Sequence, residues 1–295
     1  MLTQYLYYNL MNKFIILLLS SYLFSQSDYQ ILTAPKNIFQ LSSNNGLSAK
    51  IDLNNYINPS SLEIENNLYG FSLIEYPADI AMYHLTFKNY SISILDYGTL
   101  KDQIYDIVNN EFSAQEILMQ YFYNYKIRNL KLGVSLGFIH SNIDVYNSFG
   151  ITSSLGLNSY YKRVDSSFGM SIENLGYILK SYTAYNAKLP LQYRLSYIKY
   201  LPSSLISYDA VLSDNTKNIK HIVCFQFKIK DKIKLKISNS NYLKEMIIDN
   251  NDYSFLSGLG LGISTKLEKV VFDIGFMNLG ISGWAYGMSL NFIRD

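Results

Sequence analysis

The chain has 295 residues, enough for one large domain or two small ones, and 16% of them are charged where about 25% is usual for a soluble domain. Net charge is +2, which gives no reason to expect nucleic acid, and a single cysteine, Cys224, excludes an internal disulfide. Aromatics make up 15%, 28 of them Tyr, yet no segment after the N-terminal leader has the roughly 18 consecutive apolar residues of a membrane-spanning helix.

Residues 1–25 read as a signal peptide. Lys13 supplies the positive region, Phe14 to Leu19 the apolar run, and Ser20, Ser21 and Ser25 the small residues near a cleavage point before Gln26. Residues 26–66 are polar, rich in Asn and Ser, and contain Asn58-Pro59-Ser60-Ser61. Proline disfavours a central strand. This stretch is expected to be either a periplasmic linker or a hatch folded inside a barrel mouth.

From residue 67 onward, apolar residues alternate with small or polar ones. A strand sends successive side chains to opposite faces, so each segment has one apolar and one polar face. The predicted strands run 67–74, 81–87, 90–96, 116–125, 131–138, 150–161, 167–173, 191–197, 205–213, 223–229, 233–238, 258–264, 270–276 and 284–292. In the last, Trp284, Tyr286, Met288, Leu290 and Phe292 alternate with Ala285, Gly287, Ser289 and Asn291. A tilted strand of about 9–11 residues crosses a bilayer's hydrocarbon core.

The links sort by parity. After even strands they are short, as at Lys88-Asn89 and Lys230 to Lys232; after odd strands they are mostly longer, as at 97–115, 141–149, 175–189 and 239–253. Bacterial barrels have an even strand number, short periplasmic turns and long outer loops. A β-sandwich shares the alternation but has no reason to sort its loops. The expected fold is therefore an all-β, antiparallel up-and-down outer-membrane barrel of about fourteen strands over 67–295, with the last strand pairing with the first.

Several motifs could carry chemistry. Gly133-Val134-Ser135-Leu136-Gly137 fits the nucleophile-elbow pattern, but that motif needs a strand-to-helix turn and here lies inside continuous alternation. Gly258, Gly260 and Gly262 have the wrong spacing for a dinucleotide loop, and on an inner barrel face they would let the wall curve or leave room for a plug. His84, His140 and His221 are far apart in sequence, and Cys224 shares a face with Gln226 and Lys228. No enzyme activity, cofactor or metal is expected.

If apolar residues face lipid, then Glu173, Arg194, Lys228, Lys234, Lys236 and Asp273 face the lumen, because a lipid-facing charge at the midplane costs about 2–4 kcal/mol. The basic group around Lys234 and Lys236 could hold a carboxylate, from the N-terminal segment or from a ligand; a solvated wall with internal ion pairs is the plainer reading. The stretch Tyr121-Phe122-Tyr123-Asn124-Tyr125 suits an interfacial aromatic girdle. Loop 239–253 carries Tyr242, Leu243, Met246, Ile247 and Ile248, an apolar group that would suit contact with a partner protein.

Taken in order, several short segments resemble the PorV/PorQ-type outer-membrane proteins of the type IX secretion system, closer to the PorQ-like branch. They are Asn58-Pro59, Asp96-Tyr97-Gly98, Glu111-Phe112-Ser113-Ala114, Asn147-Ser148-Phe149-Gly150 and Phe168-Gly169-Met170-Ser171-Ile172-Glu173-Asn174-Leu175-Gly176, together with the closing glycine-rich and aromatic strands. The resemblance covers roughly residues 30–292. That family is similar in fold to the FadL-type transporters, fourteen-stranded barrels with an N-terminal hatch. The resemblance implies a non-enzymatic docking platform whose partners are other secretion or surface-attachment proteins and the outer-membrane lipid. The alternative is a FadL-like channel for hydrophobic small molecules. It predicts an apolar pocket and a lateral opening at a kinked strand, whereas the inward residues assigned by alternation are mostly Gly, Ser and charged.

Overall fold

The computed structural model describes residues 29–64, 67–104, 107–183, 188–214, 218–229, 232–241 and 256–294. The expected signal peptide, residues 1–25, lies outside the described residues, and so do Tyr242, Leu243, Met246, Ile247 and Ile248.

Fourteen strands form a closed antiparallel barrel, as expected. They are β1 (Asn67–Tyr76), β2 (Ile80–Phe87), β3 (Tyr90–Ile104), β4 (Ile107–Ile127), β5 (Leu130–Ile143), β6 (Tyr146–Tyr161) and β7 (Ser166–Lys180), then β8 (Gln192–Leu201), β9 (Ser204–Ser213), β10 (Lys220–Ile229), β11 (Ile233–Ser240), β12 (Leu259–Leu267), β13 (Val270–Asn278) and β14 (Trp284–Arg294). Every strand pairs with its sequence neighbours. The ring closes where β1 meets β14, in a register that sets Phe71 opposite Leu290 and Glu75 opposite Tyr286. Closure matters because hydrocarbon offers no partner for a free backbone N–H or C=O.

The alternation read from the sequence becomes two surfaces. Phe71, Leu85, Leu136, Met170, Leu195, Phe225, Met288 and Leu290 are exposed on the outside, while their neighbours Ser72, His84, Ser135, Ser171, Arg194, Cys224 and Ser289 are buried inside. Rings cluster near the short-turn end: Tyr90 with Tyr121, Tyr69 with Phe87, and Phe168 with both Tyr161 and Tyr197. An amphipathic ring fits the headgroup level, so this belt marks the periplasmic interface.

Two of the expected outer loops are strands instead. Residues 97–104 continue β3 and 107–115 belong to β4; residues 141–143 end β5 and 146–149 begin β6. β4 has 21 residues, well beyond the about 9–11 that span the hydrocarbon. Past the membrane both faces of a hairpin are solvated, so polar residues such as Thr99, Glu111 and Ser113 sit in a paired ladder without apolar alternation. The alternation signal stops at the membrane edge while the hydrogen bonding continues.

Residues 29–64 lie inside the barrel and form a plug. It contains a 3₁₀ turn at Gln30–Leu32 and a short helix, α1 (Ile38–Ser42), capped by the Asn37 side chain, which accepts from the Gln40 N–H. The wall thins where the plug comes close. A Cβ added to Gly133 would lie 2.3 Å from the Pro59 carbonyl carbon, and one on Gly156 would lie 2.0 Å from Asn58 Oδ1. The elbow-like Gly133–Gly137 motif is therefore mid-strand, and its first glycine is a seat for the Asn58-Pro59-Ser60 turn.

An arginine placed on the lipid face tests the orientation of the wall. Met288→Arg is expected to lower stability by about 2–4 kcal/mol, read by urea unfolding in lipid vesicles. Loss well under 1 kcal/mol would place Met288 away from lipid.

Candidate functional site: the plugged lumen and its wall

The lumen has two chemically distinct halves. At the outer end, Ile74, Met82, Leu95, Leu118, Ile139, Ile178, Met277 and Ala285 point inward and pack against Tyr29, Ile31, Leu32, Ile38 and Leu41 of the plug. This apolar group adds to the Gly, Ser and charged inward residues assigned by alternation, which also lie inside. Near the outer end both faces are apolar, so pairs such as Leu73-Ile74, Ile94-Leu95 and Phe138-Ile139 interrupt strict alternation. Counting alternation alone assigned one residue of each pair to lipid and overlooked the other; those doublets were the available signal.

Toward the periplasm the interior becomes polar, but polar wall residues hold the plug at both levels, Glu116 among them at the outer level opposite Leu95. Glu116 on β4 accepts the backbone N–H groups of Ile31 (2.8 Å) and Gln30 (3.3 Å) and the Tyr97 hydroxyl (3.0 Å). Asp209 on β9, fully buried, accepts from Leu47 N–H (3.0 Å), Ser48 N–H (3.2 Å) and Ser48 Oγ (2.6 Å). Leu47, Asn44 and Asn45 all have positive φ. The left-handed turn exposes successive N–H groups as a nest, and a carboxylate fills it. Asn158 Nδ2 donates to the Ala49 carbonyl (2.7 Å) and Asn124 Nδ2 to the Leu62 carbonyl (2.7 Å).

The six predicted lumen charges all lie on the inner stripe. Arg194 and Glu173 form a buried fork, Nε to Oε1 at 2.7 Å and Nη2 to Oε2 at 3.2 Å, and Arg194 Nη1 donates to the Asn45 carbonyl of the plug at 2.7 Å. Asp273 accepts from Ser289 Oγ (2.8 Å) and Asn291 Nδ2 (3.2 Å). Lys236 is buried, 3.3 Å from Ser42 Oγ and 4.3 Å from the centre of the Phe39 ring. Lys234 is partly buried and Lys228 is exposed at the periplasmic rim. The fork couples two wall strands to the plug, whereas Lys228, Lys234, Lys236 and Asp273 line a separate cavity at the mouth.

Asp52 of the plug faces that basic group. Burial pushes its carboxyl up, but Lys50, Lys234 and Lys236 together outweigh burial and hold it below the ordinary carboxylate range. Lys50 Nζ lies 2.5 Å from Asp52 Oδ2. Elsewhere in the plug, burial pulls the Lys36 ammonium down to about 8, partly opposed by the Glu173 carboxylate.

Of the three histidines, His84 is buried against Ser93 Oγ (2.8 Å) and the edge of the Tyr56 ring, and His221 meets the Tyr208 hydroxyl at an exposed outer position. In the Tyr-rich stretch of β4, Tyr121, Tyr123 and Tyr125 face outward, while Phe122 packs inside against Tyr56 and Leu62.

The wall has one break in its ladder, among the described residues, that opens onto the apolar half. β7 pairs with β8 only as far as Glu173 opposite Gln192; beyond it, residues 174–180 stay paired to β6 alone. A bulge falls at this point. Glu173 and Asn174 oppose the single residue Ser154, and Asn174 is left-handed, with φ 63°. The space is filled by Leu189 and Pro190 rather than by a strand. Pro190 cannot donate to a ladder. Its carbonyl accepts from Asn174 Nδ2 at 3.0 Å, and Leu189 packs into the apolar cluster beside Ile178.

No family model matches the chain, and no curated protein matches it. Solved structures do. The toluene transporter TbuX of Ralstonia pickettii superposes with a TM-score of 0.57 at 9% identity, covering 90% of this chain and 100% of that one. A deltaS2 mutant of the monoaromatic hydrocarbon channel TodX gives 0.54 at 10% identity, covering 89% and 98%. At such low identity the likeness establishes the fold alone, a closed fourteen-strand barrel like theirs.

Two predictions follow from the anchors. Arg194→Met leaves Glu173 buried without its partner and is expected to cost about 3–5 kcal/mol in urea unfolding; adding Glu173→Gln is expected to restore most of it. A double variant as weak as the single would show that packing, not the unpaired charge, dominates. A carboxyl held low stabilises fully above its ordinary pKa of 3.8 and loses that contribution as pH falls below it. Hydrogen exchange of residues 50–63, corrected for intrinsic rate, is therefore expected to be slow near neutrality and faster below that value, and fast throughout in Asp52→Asn. An Asp52→Asn profile identical to wild type would dissociate Asp52 from plug retention.

Proposed function

We propose that the chain is an outer-membrane channel for small apolar molecules, with a lateral route between β7 and β8. One observation carries this reading: a packed apolar cluster at the outer end abuts a bulged strand whose ladder stops at Glu173, with Leu189 and Pro190 filling the break. An irregular segment needs to disrupt no strand pairing to move, so it is the cheapest part of the wall to open. The likeness to a toluene transporter and a hydrocarbon channel supports the reading at the level of fold. A solute entering the outer half would have to displace Leu189 and the plug's Tyr29 and Ile31, which fill it. Hydrophobic transfer favours it by roughly 25 cal/mol per Å² of apolar surface removed from water.

Uptake by cells expressing the protein tests this. Labelled toluene is expected to enter faster than into cells with an empty membrane, with no gain for a sugar of similar size. Ile178→Asp with Leu189→Asp is expected to return uptake to background. Equal gains for toluene and sugar, or no gain for toluene, would defeat the proposal.

A second reading follows the PorQ-like resemblance: a docking platform for secretion or surface-attachment proteins. The favouring observation is the filled lumen, since a platform needs no passage. Affinity purification from native membranes separates the two readings. Stoichiometric secretion-system proteins would favour docking; bound apolar solute without a protein partner would favour the channel.

A further inference from the structure

The periplasmic mouth holds a cavity of about 500 Å³ that neither reading uses. It lies between the underside of the plug and the inner ends of β8 to β14. Pockets of roughly 300–1,000 Å³ are the size that takes small ligands. Its ionisable lining is five lysines (Lys50, Lys228, Lys234, Lys236 and Lys266) against three carboxylates, those of Asp52, Glu63 and Asp273.

The carboxylates are already engaged. Asp52 pairs with Lys50, Asp273 accepts from Ser289 and Asn291, and Glu63 has contacts of its own. Lys228, Lys234 and Lys266 have no ion pair or hydrogen bond among the described residues. The strand register makes this costly. Lys228 stands directly opposite Lys234 on the inner face, and like charges opposite each other destabilise a sheet. Lys236, buried beside Lys234's strand neighbour Leu235, has a serine hydroxyl and an aromatic face near its ammonium but no carboxylate hydrogen bond. Phe39, Leu201, Leu205 and Val271 add an apolar wall to the same cavity.

We propose that this vestibule is a binding site for a small organic anion, with a carboxylate or phosphate head held by Lys228, Lys234 and Lys266 and an apolar body against Phe39 and Leu201. Lysine holds such heads as a point charge on a flexible stem, so one site accepts both. The assignment is independent of what crosses the outer half.

Isothermal titration of the full plugged barrel in phosphatidylcholine nanodiscs tests it, with benzoate and benzyl phosphate as probes and benzyl alcohol as the neutral control. Saturable binding of both anions is expected, at least about tenfold tighter than the alcohol and weakening with salt. The Lys228→Gln, Lys266→Gln variant, which keeps Lys234 beside Asp52, is expected to lose at least about tenfold in affinity while unfolding no earlier than the parent. If that variant unfolds early, Lys266→Gln alone serves, with a smaller loss expected. Repeating the titration in phosphatidylglycerol nanodiscs separates sources of the head: unchanged affinity points to a free anion, and weakened affinity to a competing lipid headgroup, both being anion sites. Alcohol binding as tight as benzoate, affinity unchanged by the lysine substitutions, or binding only of an acidic peptide would overturn the proposal.

Discussion

The seam between β1 and β14 is the constraint on which the rest of the molecule depends. In hydrocarbon an unpaired backbone group costs several kcal/mol, so the wall is viable only as a ring without edges. Fourteen strands make a ring too wide for its own inward side chains to fill. An interior of that width needs solvent or a filling segment, and here residues 29–64 occupy it. The glycines that face the plug, the carboxylates that clasp its N–H groups and the Arg194–Glu173 fork all follow from fitting a polar polypeptide inside a closed wall.

Charge inside such a wall does two different jobs. Glu116, Asp209 and Arg194 are spent on backbone atoms of the plug, where one charged group satisfies several donors or acceptors at once. Lys228, Lys234 and Lys266 make no hydrogen bond to the plug among the described residues, and of these Lys234 acts there only through charge, on Asp52. Both groups lie on the same inward stripe and look alike in sequence. What separates them is the part of the plug that each strand faces, and that is a property of the tertiary arrangement.

The strand order and its closing pair were legible, because lipid on one side and a polar interior on the other force a period of two on every spanning segment. The same rule failed where its premise failed. Outside the membrane, at Thr99 or Glu111, neither face meets lipid, and strands were read as loops. At the outer end, at Ile74 or Ile139, both faces are apolar, and the inner apolar cluster is not marked by a period of two. The lumen charges Glu173 and Arg194 were legible as inward, but not as a fork, because the register that brings β7 beside β8 is invisible to composition. Gly133 and Gly156 carried a readable message, thinness at one face, whose meaning needed Asn58 and Pro59 placed against them. Pro190, beside Asn174 of β7, is an ordinary loop residue in sequence; only the ladder shows that it sits where a strand should be.

The plug precedes the barrel in the chain, yet its partners are spread over the whole circumference. Asn44 reaches Ser238 on β11, Leu47 reaches Asp209 on β9, and Asn58 packs at β6. A segment gripped from all sides cannot be threaded into a finished ring without first losing those grips. The economical order of assembly is for the wall to curl around a plug already engaged with it, so that the last event joins the two ends of the barrel chain. On that route the N-terminal segment is a mandrel: it sets the circumference at which β14 finds β1, and the strand number is in part a measurement of the plug.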